Sequence, residues 1–157
     1  MHGAEQLARA LAAPRRGTLV LEDHPWLQGV APRLASLGAT GVRFISQLPP
    51  AQAWMAEVDT AVTVAAGALP ETGSILLNAL SPLAFRLSLR PRVHLVIVPA
   101  ERAGLTLAQA LEWTAQEPSG LVSWITGPSR TADIEKTLVL GAQGAESLEV
   151  LIYFPEV

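Results

Sequence analysis

The run Gly127-Pro-Ser-Arg-Thr-Ala-Asp-Ile-Glu135 gathers groups that handle anions. It follows Val122-Ser-Trp-Ile125, whose β-branched and aromatic side chains predict a buried strand. Gly127-Pro128 stops that strand, and Ala132 to Lys136 is predicted to open a helix. Such a junction presents backbone N–H groups beside the hydroxyls of Ser129 and Thr131 and the guanidinium of Arg130. A guanidinium binds carboxylate or phosphate bidentately, so the expected ligand is a small carboxylate or phosphate. The structural alternative makes Ser129 or Thr131 an N-cap and pairs Arg130 with Glu135 at the surface. Asp133 and Glu135 suit a helix N-terminus; with no histidine beside them they make a poor metal site, and no metal is predicted.

A second stretch, Ala65-Ala-Gly-Ala-Leu-Pro-Glu-Thr-Gly73, reads as a loop carrying one carboxylate. Glu71 could act as a nucleophile or general base, or it could simply accept nearby backbone N–H groups. Both stretches follow predicted strands, Thr60–Val64 and Val122–Ile125. In open parallel sheets, loops at the carboxyl ends of strands line the ligand crevice. Gly127–Thr131 and Ala68–Gly73 are therefore expected to converge on one pocket, with Gly127, Thr72 and Gly73 letting a ligand approach the backbone. His94 lies within an apolar run, where a buried neutral imidazole with a backbone partner is expected. His24, beside Pro25, reads as a turn residue. Trp26, Trp54, Trp113 and Trp124 read as core or interface.

The elements that must position these residues alternate in type. Helical spacing covers Ala4–Ala13 and, after an Asp23 N-cap, the face Trp26, Leu27, Val30, Leu34 and Leu37, closed by Gly38. Strands are predicted at Thr18–Glu22, Val42–Ile45, Thr60–Val64, Ser74–Leu77, Val93–Val98, Thr137–Leu140 and Leu148–Phe154, the last two around a turn at Gly141–Gly144. Short helices are predicted from Pro49 to Trp54 and from Ser81 to Leu89. A longer one, Leu105–Ala115, should turn Leu107, Ala110, Leu111 and Thr114 inward. Val93–Val98 is apolar throughout, which predicts a central strand with parallel neighbours and helices on both faces. The pattern implies a three-layer α/β, Rossmann-like fold with a largely parallel sheet and an antiparallel or mixed edge towards the C-terminus.

Composition narrows the function. The chain has 157 residues, enough for one domain spanning 1–157, and half of them are hydrophobic, which argues against a disordered chain. Only 16% are charged and the net charge is −3, with basic residues scattered, so nucleic-acid binding has no support. There are no cysteines, which excludes disulfides, thiolate-held zinc and an iron–sulfur cluster on this chain's own thiolates. No Gly-x-Gly-x-x-Gly fingerprint is present, and no bound cofactor is predicted. The N-terminus does not read as a signal peptide, and no apolar run reaches the ~18 residues of a membrane span, so a cytoplasmic location is expected.

Three pieces together resemble the lactate-utilisation (LUD) domain family: Glu71-Thr-Gly-Ser74; Ser88-Leu-Arg-Pro-Arg-Val-His-Leu-Val-Ile-Val-Pro99; and Gly127–Glu135 with Gly141-x-x-Gly144 and the closing strand. The match is most similar to the protein C type and covers about Thr60 to Ile152. The resemblance implies a fold of the sugar-phosphate isomerase and CoA-transferase group. It implies a role in oxidising lactate to pyruvate beside partner subunits that carry iron–sulfur clusters. An accessory, anion-binding subunit without a redox centre is the first expectation. The alternatives are an enzyme handling acyl or phosphoryl groups through Glu71, and a degenerate scaffold. This sequence departs from the family pattern at Gln143, where many members have histidine, and at Pro70, where alanine is usual.

Overall fold

Apolar segments spread along the whole chain meet in one parallel sheet. The computed structural model describes residues 3–12, 17–49, 57–78, 82–117, 121–127 and 144–155. In chain order the elements are α1 (Gly3–Leu11), β1 (Thr18–Leu21), α2 (Pro25–Ser36), β2 (Val42–Phe44), β3 (Val58–Val64), β4 (Gly67–Leu69), β5 (Ser74–Asn78), α3 (Pro82–Leu87), β6 (Val93–Pro99), α4 (Leu107–Gln116), β7 (Val122–Ile125) and β8 (Ser147–Tyr153). The expectations for Pro49–Trp54, Ala132–Lys136, Thr137–Leu140 and the turn up to Gln143 fall largely or wholly outside the described residues.

The main sheet has the order β2-β1-β3-β6-β8, and every pair in it is parallel. β6 is buried at all seven positions, between β3 and β8, as its continuous apolar character requires. Two of the expectations about strand pairing need correction. The end of the main sheet near the C-terminus is not antiparallel, because β8 runs parallel to β6. The antiparallel pairs sit in a separate three-stranded sheet, β4-β5-β7. Gly67–Leu69, expected as loop, is the first strand of that sheet.

The second sheet explains why the faces of β6 are covered unequally. On one face, α1 and α2 bury Leu7, Leu11, Leu27, Val30 and Leu34 against Leu19, Leu21, Val62, Leu95 and Ile97. On the other, Ile75 and Leu77 of β5 pack on Val96 and Val98. That layer is a small sheet, joined by α3 through Leu87, rather than the helices expected. α4 covers the outside of the small sheet through Ala110, with Leu69 and Leu76 beneath it. Thr106 caps α4, its hydroxyl accepting from Gln109 N–H at 3.3 Å. The inward face of α4 is rotated from the one expected: Ala110 is buried and Trp113 half-buried, while Leu107 and Leu111 are exposed.

Local chemistry sets the start of α2. The expected N-cap, Asp23, instead reaches across to Ser46, accepting from its backbone N–H (2.9 Å) and its hydroxyl (2.7 Å). The cap is His24, whose Nδ1 accepts from Trp26 N–H at 3.3 Å. Pro25 follows at the first helical position, where its missing N–H loses nothing.

β1 is paired on both sides, with β2 on one and β3 on the other. The chain leaves β1 in one direction and returns to its opposite side. Between β1 and β3 the sheet therefore has a topological switch point, which opens a crevice beyond the carboxyl ends of these strands.

Candidate functional site

Two polar places stand out, at opposite ends of β5. The first lies where β5 begins. β5 and β7 run antiparallel with Ile75 opposite Ile125, so the residue before Ile75 meets the residue after Ile125. Ser74 Oγ and Thr126 Oγ1 are accordingly 2.8 Å apart. Thr72 completes the chain by donating from Oγ1 to Ser74 Oγ at 2.7 Å. Ser74 is buried, whereas Thr72 and Thr126 are exposed, so the three hydroxyls run from the interior to the surface.

This end of the small sheet holds much of what the sequence nominated. Glu71, Thr72 and Gly73 form the exposed turn between β4 and β5. Gly73 has φ +64°, a left-handed conformation that glycine takes without strain. Gly127 follows Thr126 directly and is exposed. Ser129, Arg130 and Thr131 lie outside the described residues. The described part of the expected convergence is the contact of Ser74 with Thr126, next to the Glu71 turn and just before Gly127; residues 128–131 lie outside the described residues. β7 is not a strand of the parallel sheet; its antiparallel pairing with β5 is what brings Thr126 to Ser74.

The second place lies at the switch point. Glu22 directly follows β1, and the residue is only 8% exposed there. Its Oε2 accepts from Val64 N–H at 2.8 Å, while its own N–H donates to Val62 O at 2.9 Å, so it ties β1 to β3. Burial raises the Glu22 pKa to about 6; the Val64 bond opposes that shift and the nearby Asp23 charge adds to it. Glu22, Thr63, Val64, Leu77, Asn78, Phe85 and Ser88 line a narrow crevice with room for about one water molecule.

Behind this crevice stands a buried pair. Thr63 Oγ1 and His94 Nε2 are 2.9 Å apart, and the two residues are 4% and 1% exposed. Burial pushes the imidazole down to about 4, so it is neutral at pH 7. The expectation of a buried neutral imidazole holds, but its partner is a hydroxyl rather than the backbone group anticipated. The crevice itself was missed. The available signal was an acid closing an apolar strand, Thr18-Leu-Val-Leu-Glu22, in a chain whose next strand must pair on one side or the other.

Among the described residues no group of three or more histidines and acids is placed to hold a metal ion. Nor is any helix there long and apolar enough to cross a membrane.

Residues 52–153 match the family model of the LUD domain. A lactate utilization protein C from Deinococcus radiodurans is 30% identical over 151 residues, which cover 93% of this chain and 66% of that protein. A lactate utilization protein C from Bacillus subtilis is 30% identical over 95 residues, covering 56% and 39%. The chain thus spans less than two thirds of the length of these curated relatives. The crystal structure of a DUF162 family protein from Deinococcus radiodurans superposes with a TM-score of 0.55 at 18% identity, covering 96% of this chain and 94% of the other. That likeness establishes the fold.

Proposed function

The chain belongs to the LUD domain family, and from that premise we propose that it serves lactate utilisation as a component without a redox centre of its own. It binds a small carboxylate or phosphate, with lactate and pyruvate the leading candidates, at the end of the small sheet. Electrons leave through partner subunits carrying iron–sulfur clusters, and the system works in the cytoplasm. One observation carries the binding part of this reading: the hydroxyl chain Thr72–Ser74–Thr126 joins the Glu71 turn to the head of the Gly127 run. Hydroxyl donors there would meet an anion's oxygens, and the guanidinium of Arg130, three residues beyond Gly127, would supply the charge. The absence of cysteine motivates the redox part, since cluster ligands must then come from another chain.

The test has two arms. Purified protein is given L-lactate and an electron-accepting dye with no other protein present, and no sustained reduction is expected; turnover with a copurified flavin or nicotinamide would contradict the redox part. Thermal unfolding with L-lactate, pyruvate or inorganic phosphate should show stabilisation that Arg130→Ala weakens by roughly 1–3 kcal/mol, the worth of a charge-assisted hydrogen bond. Equal stabilisation of both proteins would contradict the binding part.

A further inference from the structure

The hydroxyls of Thr72, Ser74 and Thr126 carry one proton each, and burial decides where those protons point. A hydroxyl has one proton to donate and two lone pairs with which to accept. Thr72 gives its proton to Ser74 Oγ at 2.7 Å. Ser74 is 4% exposed, so its own proton needs an acceptor inside the protein. Among the described residues the acceptor within reach is Thr126 Oγ1, at 2.8 Å. Ser74 therefore donates to Thr126, and the chain runs one way, from Thr72 through Ser74 to Thr126. The opposite direction at the second bond would leave a buried donor unsatisfied.

The two exposed ends then differ in polarity. Thr126 accepts from Ser74 and turns its own proton outward, so it presents a donor. Thr72 has given its proton to Ser74 and presents lone pairs only. Hydrogen bonds in series polarise one another, which makes Thr126 a better donor and Thr72 a better acceptor. Space flanks both ends: apart from its chain neighbours, a Cβ at Gly73 or Gly127 would meet no described atom within 4 Å. A carboxylate oxygen only accepts, so it suits Thr126. A hydroxyl on the adjacent carbon can donate, so it suits Thr72. A 2-oxo acid instead sets the lone pairs of its keto oxygen against those of Thr72.

Resting on the reading that a small carboxylate binds here, we propose that this hydroxyl chain selects a 2-hydroxy acid over the matching 2-oxo acid. Thr126 donates to the carboxylate and Thr72 accepts from the 2-hydroxyl. Ser74 is a positioning residue: it touches neither group but sets which end of the chain donates. A guanidinium on the carboxylate serves both acids alike, so the preference comes from the hydroxyls. A site built to pair with a substrate hydroxyl rejects the analogue that lacks it.

Calorimetric titration of the full chain with L-lactate and with pyruvate tests this. The parent should bind lactate about threefold tighter than pyruvate, or more. Thr72→Val should remove that preference by weakening lactate alone. Thr126→Val should weaken both acids by about tenfold, and Thr126→Ser, which restores the hydroxyl, should recover most of the loss. Ser74→Ala keeps both outer hydroxyls but frees them to turn, so the ratio of the two affinities should fall towards one. A merely structural loss would weaken both acids in proportion. The Thr72 and Thr126 variants, at exposed positions, carry the test if Ser74→Ala does not fold. Pyruvate binding as tightly as lactate would overturn the inference and leave carboxylate binding standing. So would a loss in Arg130→Ala beside unchanged affinities in Thr72→Val and Thr126→Val. No binding of either acid to the parent would overturn both.

Discussion

The two polar places differ in how they are built. At the start of β5, the hydroxyls of Thr72 and Thr126 are exposed and water can replace any bond they lose. At the switch point, Glu22, Thr63, Ser88 and His94 are each less than a tenth exposed, so little water is at hand to replace a lost partner. The exposed place consists of short stretches with recognisable residue types. The buried one is assembled by strand order from Glu22, Thr63, Asn78 and Ser88, residues far apart in the chain. Loops advertise chemistry in sequence; a crevice created by topology does not.

The largest contrast should appear in acid. His94 is held neutral, so its contribution to stability is present above pH 6.5 and is lost as pH falls through about 4. That shift is worth roughly 3 kcal/mol. Glu22 acts in the opposite sense: its folded-state pKa is raised from 4.5, so the stability it adds is present below pH 4.5 and is lost as pH rises through about 6. Its share is roughly 2 kcal/mol. Glu22→Gln should therefore lose stability more steeply than the parent on acidification, with the difference growing by about 1 kcal/mol between pH 6 and pH 4.5. Urea unfolding across that range measures it, and parallel profiles for the two proteins would show that Glu22 titrates as an exposed acid.

Thr63→Val sharpens the same point at constant pH. It preserves shape but removes the hydroxyl at 2.9 Å from His94 Nε2, leaving a buried nitrogen without its partner. The expected loss is about 1–3 kcal/mol at pH 7. Ser74→Ala removes the middle of the exposed hydroxyl chain, where Thr72 and Thr126 can turn to solvent. Its expected loss is smaller, about 0.5–1.5 kcal/mol. If denaturation gives Ser74→Ala the larger loss, the buried and exposed places have been assigned the wrong way round.

Glu71→Gln should have the smallest effect on folding. The carboxylate is exposed in the turn between β4 and β5, and surface substitutions of this kind usually stay within about 0.5 kcal/mol. A thermal melt checks this. A loss above 1 kcal/mol would give Glu71 a structural role in holding the turn, as its sequence context also allowed.

Much of the frame was legible because periodicity reports burial. The continuous apolar run of β6 could only be a strand covered on both faces, and it is. Periodicity could not say what covers it. Ser74–Asn78 reads as a strand in isolation, and nothing local decides whether it joins the parallel sheet or starts a second one. Short apolar strands carry no partner information, so β7 was assigned to the wrong sheet. The inward face of α4 was misjudged because Leu107 and Leu111 look like core, whereas Ala110 is the small residue that lets the helix sit close over Leu76. β8 marks the same limit. Leu148, Val150, Ile152 and Phe154 alternate as core positions would, yet each is 41–47% exposed. Within the sites, the hydroxyls and Glu71 were visible as types, while Glu22 required knowing that β1 lies between β2 and β3.

Calorimetric titration of L-lactate and pyruvate into the parent protein, Arg130→Ala and Glu22→Gln tests the separation of the two places most directly. The account predicts carboxylate binding to the parent, a loss of roughly tenfold or more in affinity for Arg130→Ala, as expected for a charge-assisted bond, and unchanged affinity for Glu22→Gln. Affinity that survives Arg130→Ala but collapses in Glu22→Gln would place the carboxylate at the switch point and contradict the account.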